Sequence, residues 1–133
     1  MYLKILYMNN IILRGRLTTD AETRITSDEK PTTISRFSLA VQDRTHRNHD
    51  GNYDVDYIKI VAFNSVADNI QRYTEKGSEI LVQGRLHTYT YKNKEDKNVY
   101  MSEVICEKIE FIEKCKKAGA EMADIPDEEL PFN

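Results

Sequence analysis

Apolar and polar residues alternate with a period of two through most of this chain, and that period marks strands. Ile11-Ile12-Leu13-Arg14-Gly15-Arg16-Leu17 reads as a first strand whose glycine permits a bend or a close backbone approach. From Ile34 to Val41, Phe37, Leu39 and Val41 share one face while Arg36 and Ser38 point the other way. Arg44 to Asp56 is polar and carries Asp50-Gly51, a tight-turn pair, so it predicts a hairpin or long loop. A third strand, Tyr57 to Phe63, sets Ile58, Ile60 and Ala62 against Tyr57, Lys59, Val61 and Phe63. A helical stretch then interrupts: Asn64 or Ser65 can cap it, Val66, Ile70 and Tyr73 fall at i, i+4 and i+7, and Lys76-Gly77 supplies a stop. Ile80, Val82, Gly84 and Leu86 next alternate with Leu81, Gln83, Arg85 and His87, and the run extends through Thr88-Tyr89-Thr90-Tyr91. After a charged turn from Lys92 to Asn98, Val99 to Cys106 returns as a strand, and Ile109, Phe111 and Ile112 close the domain.

Five strands with one short helix between the third and fourth predict a mainly all-β fold, a five-stranded Greek-key barrel of the oligonucleotide-binding (OB) type. The chain of 133 residues fits one domain with a small core. We place that domain at 1–112, with a short linker and tail over 113–133. The opening apolar run is too short for a signal-peptide core, and no stretch approaches membrane-spanning length. Two cysteines make no disulfide framework: Cys106 reads as a small core residue and Cys115 as an exposed thiol, in a reducing cytoplasm.

Charge changes the picture at the C-terminal end. From Ala118 onward there are five acids and no Lys or Arg, so residues 1–117 hold 19 bases against 17 of the 22 acids. The body is near +2 and the tail −5. Such a segment has too little apolar surface to offset its ordering entropy and is expected to be a disordered acidic tail. Plain solubilising disorder is one reading. The other rests on residue order: Asp127, Glu128 and Glu129 precede Leu130, Pro131 and Phe132, a tip that a basic pocket with an apolar floor could grip. The five acids can also imitate a run of phosphates and compete for a basic groove on the body.

The chemistry lies on the faces turned away from the core. Tyr57 and Phe63 flank Lys59, and Tyr89 and Tyr91 continue the face that carries Arg85 and His87. Flat rings accept any base by stacking while cations neutralise the phosphates between, which suits a sequence-tolerant binder of single strands. The bland alternative is that Tyr and Phe simply favour strands and cover a second core or a subunit interface. On that alternative the barrel is a protein-interaction module with no nucleic-acid role.

The run Met8-Asn-Asn-Ile-Ile-Leu-Arg-Gly-Arg-Leu17, Ile34-Ser-Arg-Phe-Ser-Leu-Ala-Val41, Tyr57-Ile-Lys-Ile-Val-Ala-Phe63, Lys76-Gly-Ser78, and Val82-Gln-Gly-Arg-Leu86 followed by Thr88 resemble, in order and spacing, the bacterial-type single-stranded DNA-binding proteins. The likeness covers residues 8–112, and Asp127 to Phe132 resembles that family's acidic tip. It implies an OB fold that assembles as a homotetramer and wraps single-stranded DNA in the cytoplasm, near the nucleoid. It further implies recruitment of replication, recombination and repair enzymes through the tail. Tyr57, Phe63 and Tyr91 match its stacking aromatics, and Lys59 its intervening cation. Arg16, Lys76 and His87 match positions used near the strand, whereas Arg24, Arg44, Arg85 and Tyr89 are chosen on charge or ring alone. No cofactor and no membrane partner is implied.

Three departures bear on function. Where the family often has a further aromatic, this chain has Thr45 and His46, and His46 is a weaker stacking candidate. The usual long linker is short here, which shortens the reach of the tail. Asn133 follows Phe132 and separates the ring from the terminal carboxylate, and Met8 is a candidate true start. His46-x-x-His49 with Asp50, Asp54 and Asp56 nearby lacks the second half of a ligand set, so no metal is expected. No phosphate-cradling loop, nucleophile elbow or HExxH-type helix is present, and catalysis is not expected.

Overall fold

The structure is a computed structural model that describes residues 7–112. Six strands and a helix follow in the order β1 (Ile11–Leu17), β2 (Glu22–Ile25), β3 (Thr33–Arg47), β4 (Tyr53–Phe63), α1 (Asn64–Tyr73), β5 (Glu79–Lys92) and β6 (Asn98–Phe111). Hydrogen-bonded neighbours run β1-β5-β6-β4-β3-β2, and β1 also pairs with β3. That last pairing closes β1, β5, β6, β4 and β3 into the expected five-stranded barrel and so removes unpaired edges among them. β2, which the alternation did not reveal because its four residues are too few to show a period, stays outside the closed ring as a flap on β3.

Two glycines let neighbouring backbones meet. A Cβ on Gly15 would lie 2.2 Å from the Ala40 carbonyl oxygen, where β1 crosses to β3, so the close approach expected of this residue is real. A Cβ on Gly84 would lie 1.9 Å from the Ile105 carbonyl oxygen. There the β5–β6 register shifts, with Gln83 opposite Lys108 but Gly84 opposite Cys106, so Glu107 is the extra residue of a bulge.

The interior is built from Leu17, Phe37, Leu39, Ile60, Ile80, Val82 and Val104 of the strands and Ala67 and Ile70 of the helix. Phe37 and Leu39 alternate with exposed Arg36 and half-buried Ser38 as their pattern requires. Neither Asn64 nor Ser65 makes a side-chain cap: the N-cap is Phe63, and Asn64 takes φ 56, a left-handed conformation that Asn tolerates better than most residues. The helix also ends before Lys76-Gly77. Thr74 turns extended after Tyr73 and spends both its N–H and its hydroxyl on the Ile70 carbonyl. Gly77 lies beyond, in the turn that leads into β5. Among the described residues no buried side-chain nitrogen or oxygen lacks a partner.

Two face assignments need correction. Val61 is buried although Tyr57, Lys59 and Phe63 of the same face are exposed, because β6 lies alongside and sets Ile105 next to it. Leu86 follows the core face of Ile80, Val82 and Gly84 but is exposed, because the strand has by then left the barrel. The acidic tail, its tip from Asp127 to Phe132 and Cys115 lie outside the described residues.

Candidate nucleic-acid interface

Pairing registers bring the expected rings and cations onto one outer face, since residues directly opposite on neighbouring strands share a side of the sheet. Tyr57, Lys59, Val61 and Phe63 stand opposite Ala40, Ser38, Arg36 and Ile34. Beyond them Ala40 pairs with Arg16 of β1, Ile34 with Arg24 of β2 and Arg36 with Glu22. Arg16, Ala40 and Tyr57 thus form one row, and Arg24, Ile34 and Phe63 another. On the other flank Ile105 of β6 lies beside Val61 and opposite Arg85 of β5. Further along the β5–β6 ribbon His87, Tyr89 and Tyr91 stand opposite Glu103, Met101 and Val99.

The rings are available to a partner. Tyr57 is 69 % exposed, Tyr91 46 %, and Phe63 and Tyr89 37 % each. At about 3.3 Å per residue the six steps from Tyr57 to Phe63 span roughly 20 Å, a path along which several nucleotides can lie. The His87 and Tyr89 rings stack with centroids 5.9 Å apart. His46 does not join them. It lies where the β3–β4 register breaks, with Nδ1 2.9 Å from the Thr45 hydroxyl and 3.4 Å from Asp43. The Asp43 carboxyl is held below its usual range, chiefly by the Thr45 hydroxyl and next by the Thr45 backbone N–H.

The cations divide into two groups. Arg14, Arg16 and Arg44, with Gln42, Val55 and Glu79, line a cleft of about 600 Å³ beside the Tyr57 row. Glu79 accepts from Arg14 Nε at 2.8 Å and from Arg16 at 3.2 Å, and Arg16 also donates to the Gly77 carbonyl at 2.8 Å. Exposed Lys76, its N–H bonded to Asp20, flanks that same corner. Across the face Arg36, Lys59 and Tyr89 line a hollow of about 400 Å³ together with Glu103. Arg24 is paired with Glu22 at 2.8 Å and Arg85 with Glu107 at 3.6 Å.

Three contributions escaped the sequence reading. Arg36 and Arg14 belong to this face, and the alternation around Phe37 and Leu13 was the available signal. At the hairpin tip the Arg47 guanidinium lies 4.6 Å over the Tyr53 ring and donates to its hydroxyl at 3.1 Å. Within residues 7–112 there are 15 Lys and Arg against 16 Asp and Glu, so any attraction for phosphate comes from where the charges sit and not from their sum. Among the described residues no three His, Cys, Asp or Glu side chains converge in a metal-ligand cluster, and no helix is long and apolar enough to cross a membrane.

The model of the single-strand binding protein family matches residues 8–112. The "Single-stranded DNA-binding protein 1" of Staphylococcus aureus strain Mu50 is 43 % identical over 106 residues, covering 80 % of this chain and 66 % of that protein. In strain N315 the "Single-stranded DNA-binding protein" gives the same identity and coverage. The chain thus spans just under two thirds of the length of these relatives. "Single-stranded DNA-binding protein 1" of Streptococcus pyogenes serotype M18 is 34 % identical over 132 residues, covering 94 % of this chain and 99 % of that protein.

Proposed function

Since the chain belongs to the single-strand binding protein family, we propose that it coats single-stranded DNA without base selectivity through the face of Tyr57, Lys59, Phe63, Tyr89 and Tyr91. The observation that carries this reading is the exposure of four rings on one continuous outer face, with Lys59 between two of them and His87 stacked on a third. Rings supply stacking that every base can satisfy, worth roughly 1–3 kcal/mol each, a magnitude established on this class of protein. Arg16, Arg24, Arg44, Lys76 and Arg85 border the path and neutralise phosphates along it. Binding and protection, with no covalent step, is the whole of the chemistry.

The wider role follows the family. The protein acts in the cytoplasm on strands exposed in replication, recombination and repair, assembles as a homotetramer, and brings partner enzymes to the strand through Asp127, Glu128, Glu129, Leu130, Pro131 and Phe132. In the absence of DNA the acidic tail competes for the same cations.

A fluorescence titration with oligothymidine over a series of salt concentrations tests the central claim. Quenching of the tyrosines, with log affinity falling by about 0.7 per phosphate contacted for each unit of log salt, is the expected result. Binding that ignores salt and survives truncation of Tyr57, Phe63 and Tyr91 would transfer the face to a protein partner. Deletion of residues 121–133 is expected to raise affinity at low salt.

A further inference from the structure

We propose that Glu103 is an internal counter-ion of the binding face, a carboxylate placed beside Arg36 and Lys59 where a phosphate would otherwise sit, and that it limits how tightly a single strand is held. The inference rests on the reading of this face as a DNA path. Glu103 Oε2 lies 3.3 Å from Arg36 Nη1. Its side chain is 11 % exposed while that of Arg36 is 58 % exposed, so the carboxylate forms the floor and the guanidinium the rim. Glu103 lines the hollow it shares with Arg36, Lys59 and Tyr89, and also a second hollow of about 330 Å³ shared with Tyr57, Lys59 and Met101. It is therefore part of the wall between two rings that bracket the path.

Asp20 and Glu22 also line the first hollow, but Asp20 accepts from the Lys76 backbone N–H and Glu22 is paired with Arg24 on the β2 flap, while Glu79 holds Arg14 and Arg16 at the margin of the sheet. Of these four carboxylates Glu103 alone also lines the second hollow, with Tyr57 on that side and Tyr89 on the other. A fixed negative charge there opposes the phosphates of any strand laid between those rings. It also holds Arg36 in an ion pair, so that Arg36 neutralises no phosphate and releases none of the counterions condensed on the strand. Glu103→Gln removes the charge while keeping the shape, and the Arg36 side chain left without its partner is 58 % exposed and stays solvated, so the barrel keeps its fold.

The test is Glu103→Gln in the full chain, titrated with oligothymidine at several salt concentrations beside wild type, with thermal melting as the control for folding. Binding about fivefold tighter at low salt is expected, the size of one Coulomb repulsion across about 4 Å in the dielectric of water. The salt slope should steepen by about 0.7 as Arg36 becomes a phosphate contact that releases the counterion of that phosphate. An unchanged slope, or looser binding by a variant that melts like wild type, overturns the proposal. A second comparison covers a poorly folding single variant: Arg36→Gln should bind weakly because it bares Glu103, and Arg36→Gln with Glu103→Gln should recover several-fold. A double variant no tighter than Arg36→Gln alone overturns it as well. If wild type itself does not bind oligothymidine, it is the functional reading that fails, before Glu103 is at issue.

Discussion

From Glu79 to Gly84 every second residue of β5 is buried, whereas from Arg85 to Lys92 none is. The two halves are covalently one strand and their partner β6 is the same throughout, so local propensity does not separate them. What differs is what lies beside the ribbon. β1 pairs with β5 only along Glu79 to Gly84, and β4 meets β6 only at Val104 to Cys106. Past those positions β5 and β6 continue alone, and side chains on both faces meet solvent. A buried Val82 is therefore a stability residue, while Tyr89 and Tyr91 are free to serve binding. Two-stranded ribbons are marginal by themselves, so the arm borrows its order from the barrel.

The largest effect expected of this contrast is on folding. Leu39→Ala, in the barrel half of β3, should destabilise by about 2–5 kcal/mol in urea unfolding through lost burial and a residual cavity. Leu86→Ala, an exposed leucine on the arm, should cost about 0.5 kcal/mol. Equal losses at the two leucines would mean that the arm is covered by something in solution and would break the division.

Next in size is the reverse experiment on the arm and the outer face. Tyr57→Ala and Tyr91→Ala should each weaken binding of oligothymidine by about 1–3 kcal/mol in a quenching titration. Their melting temperatures should stay close to wild type, because neither ring is part of the core. A ring whose loss moves melting and not binding belongs to an interface instead.

How far the sequence revealed this division depends on what the alternation can encode. Phe37 and Leu39, or Ile80 and Val82, were legible because core packing imposes period two wherever a neighbouring strand covers one face. Leu86 continued the same pattern and misled, since nothing in a single strand says where its neighbour stops. Val61 failed for the opposite reason: cover from β6 comes from more than forty residues downstream. The exposure of the rings and Lys59 was legible because aromatics and a cation interleaved on a wet face are costly to explain as core. Arg36 was seen to point outward but not to be joined to Glu103, a pairing that exists only once β6 is laid beside β4. Thr74 ended the helix ahead of Gly77 through a buried hydroxyl, and no short-range rule announces that.

A smaller effect tests the barrel at the seam where the arm begins. Cys106 stands opposite Gly84 at the bulge, and burial pushes its thiol up to about 11. Unfolding releases the group to an ordinary thiol that ionises near about 8.5, so the unfolded state gains by losing a proton first. The thiol's contribution is therefore complete below that range and is lost as pH rises towards about 11. Wild type should lose about 2 kcal/mol between pH 8 and pH 10 that Cys106→Ala does not lose. Identical pH profiles would mean that the seam opens to solvent in the native state.

The finest distinction concerns two cations on the same face, one in each region. Lys59 sits on β4 between Tyr57 and Phe63, and Arg85 begins the arm with Glu107 at 3.6 Å. Glu103 lines the same hollows as Lys59, but among the described residues no ion pair engages Lys59, so a phosphate can meet it without displacing a bonded carboxylate. Lys59→Gln should make the salt slope shallower by about 0.7 with an affinity loss below about 1 kcal/mol at moderate salt. Arg85→Gln should change the slope less, because Arg85 is paired with Glu107 and neutralises a phosphate less completely. If the two substitutions shift the slope equally, then an ion pair with a carboxylate does not set how much each cation adds to the slope, and the distinction between the barrel face and the arm reduces to their rings.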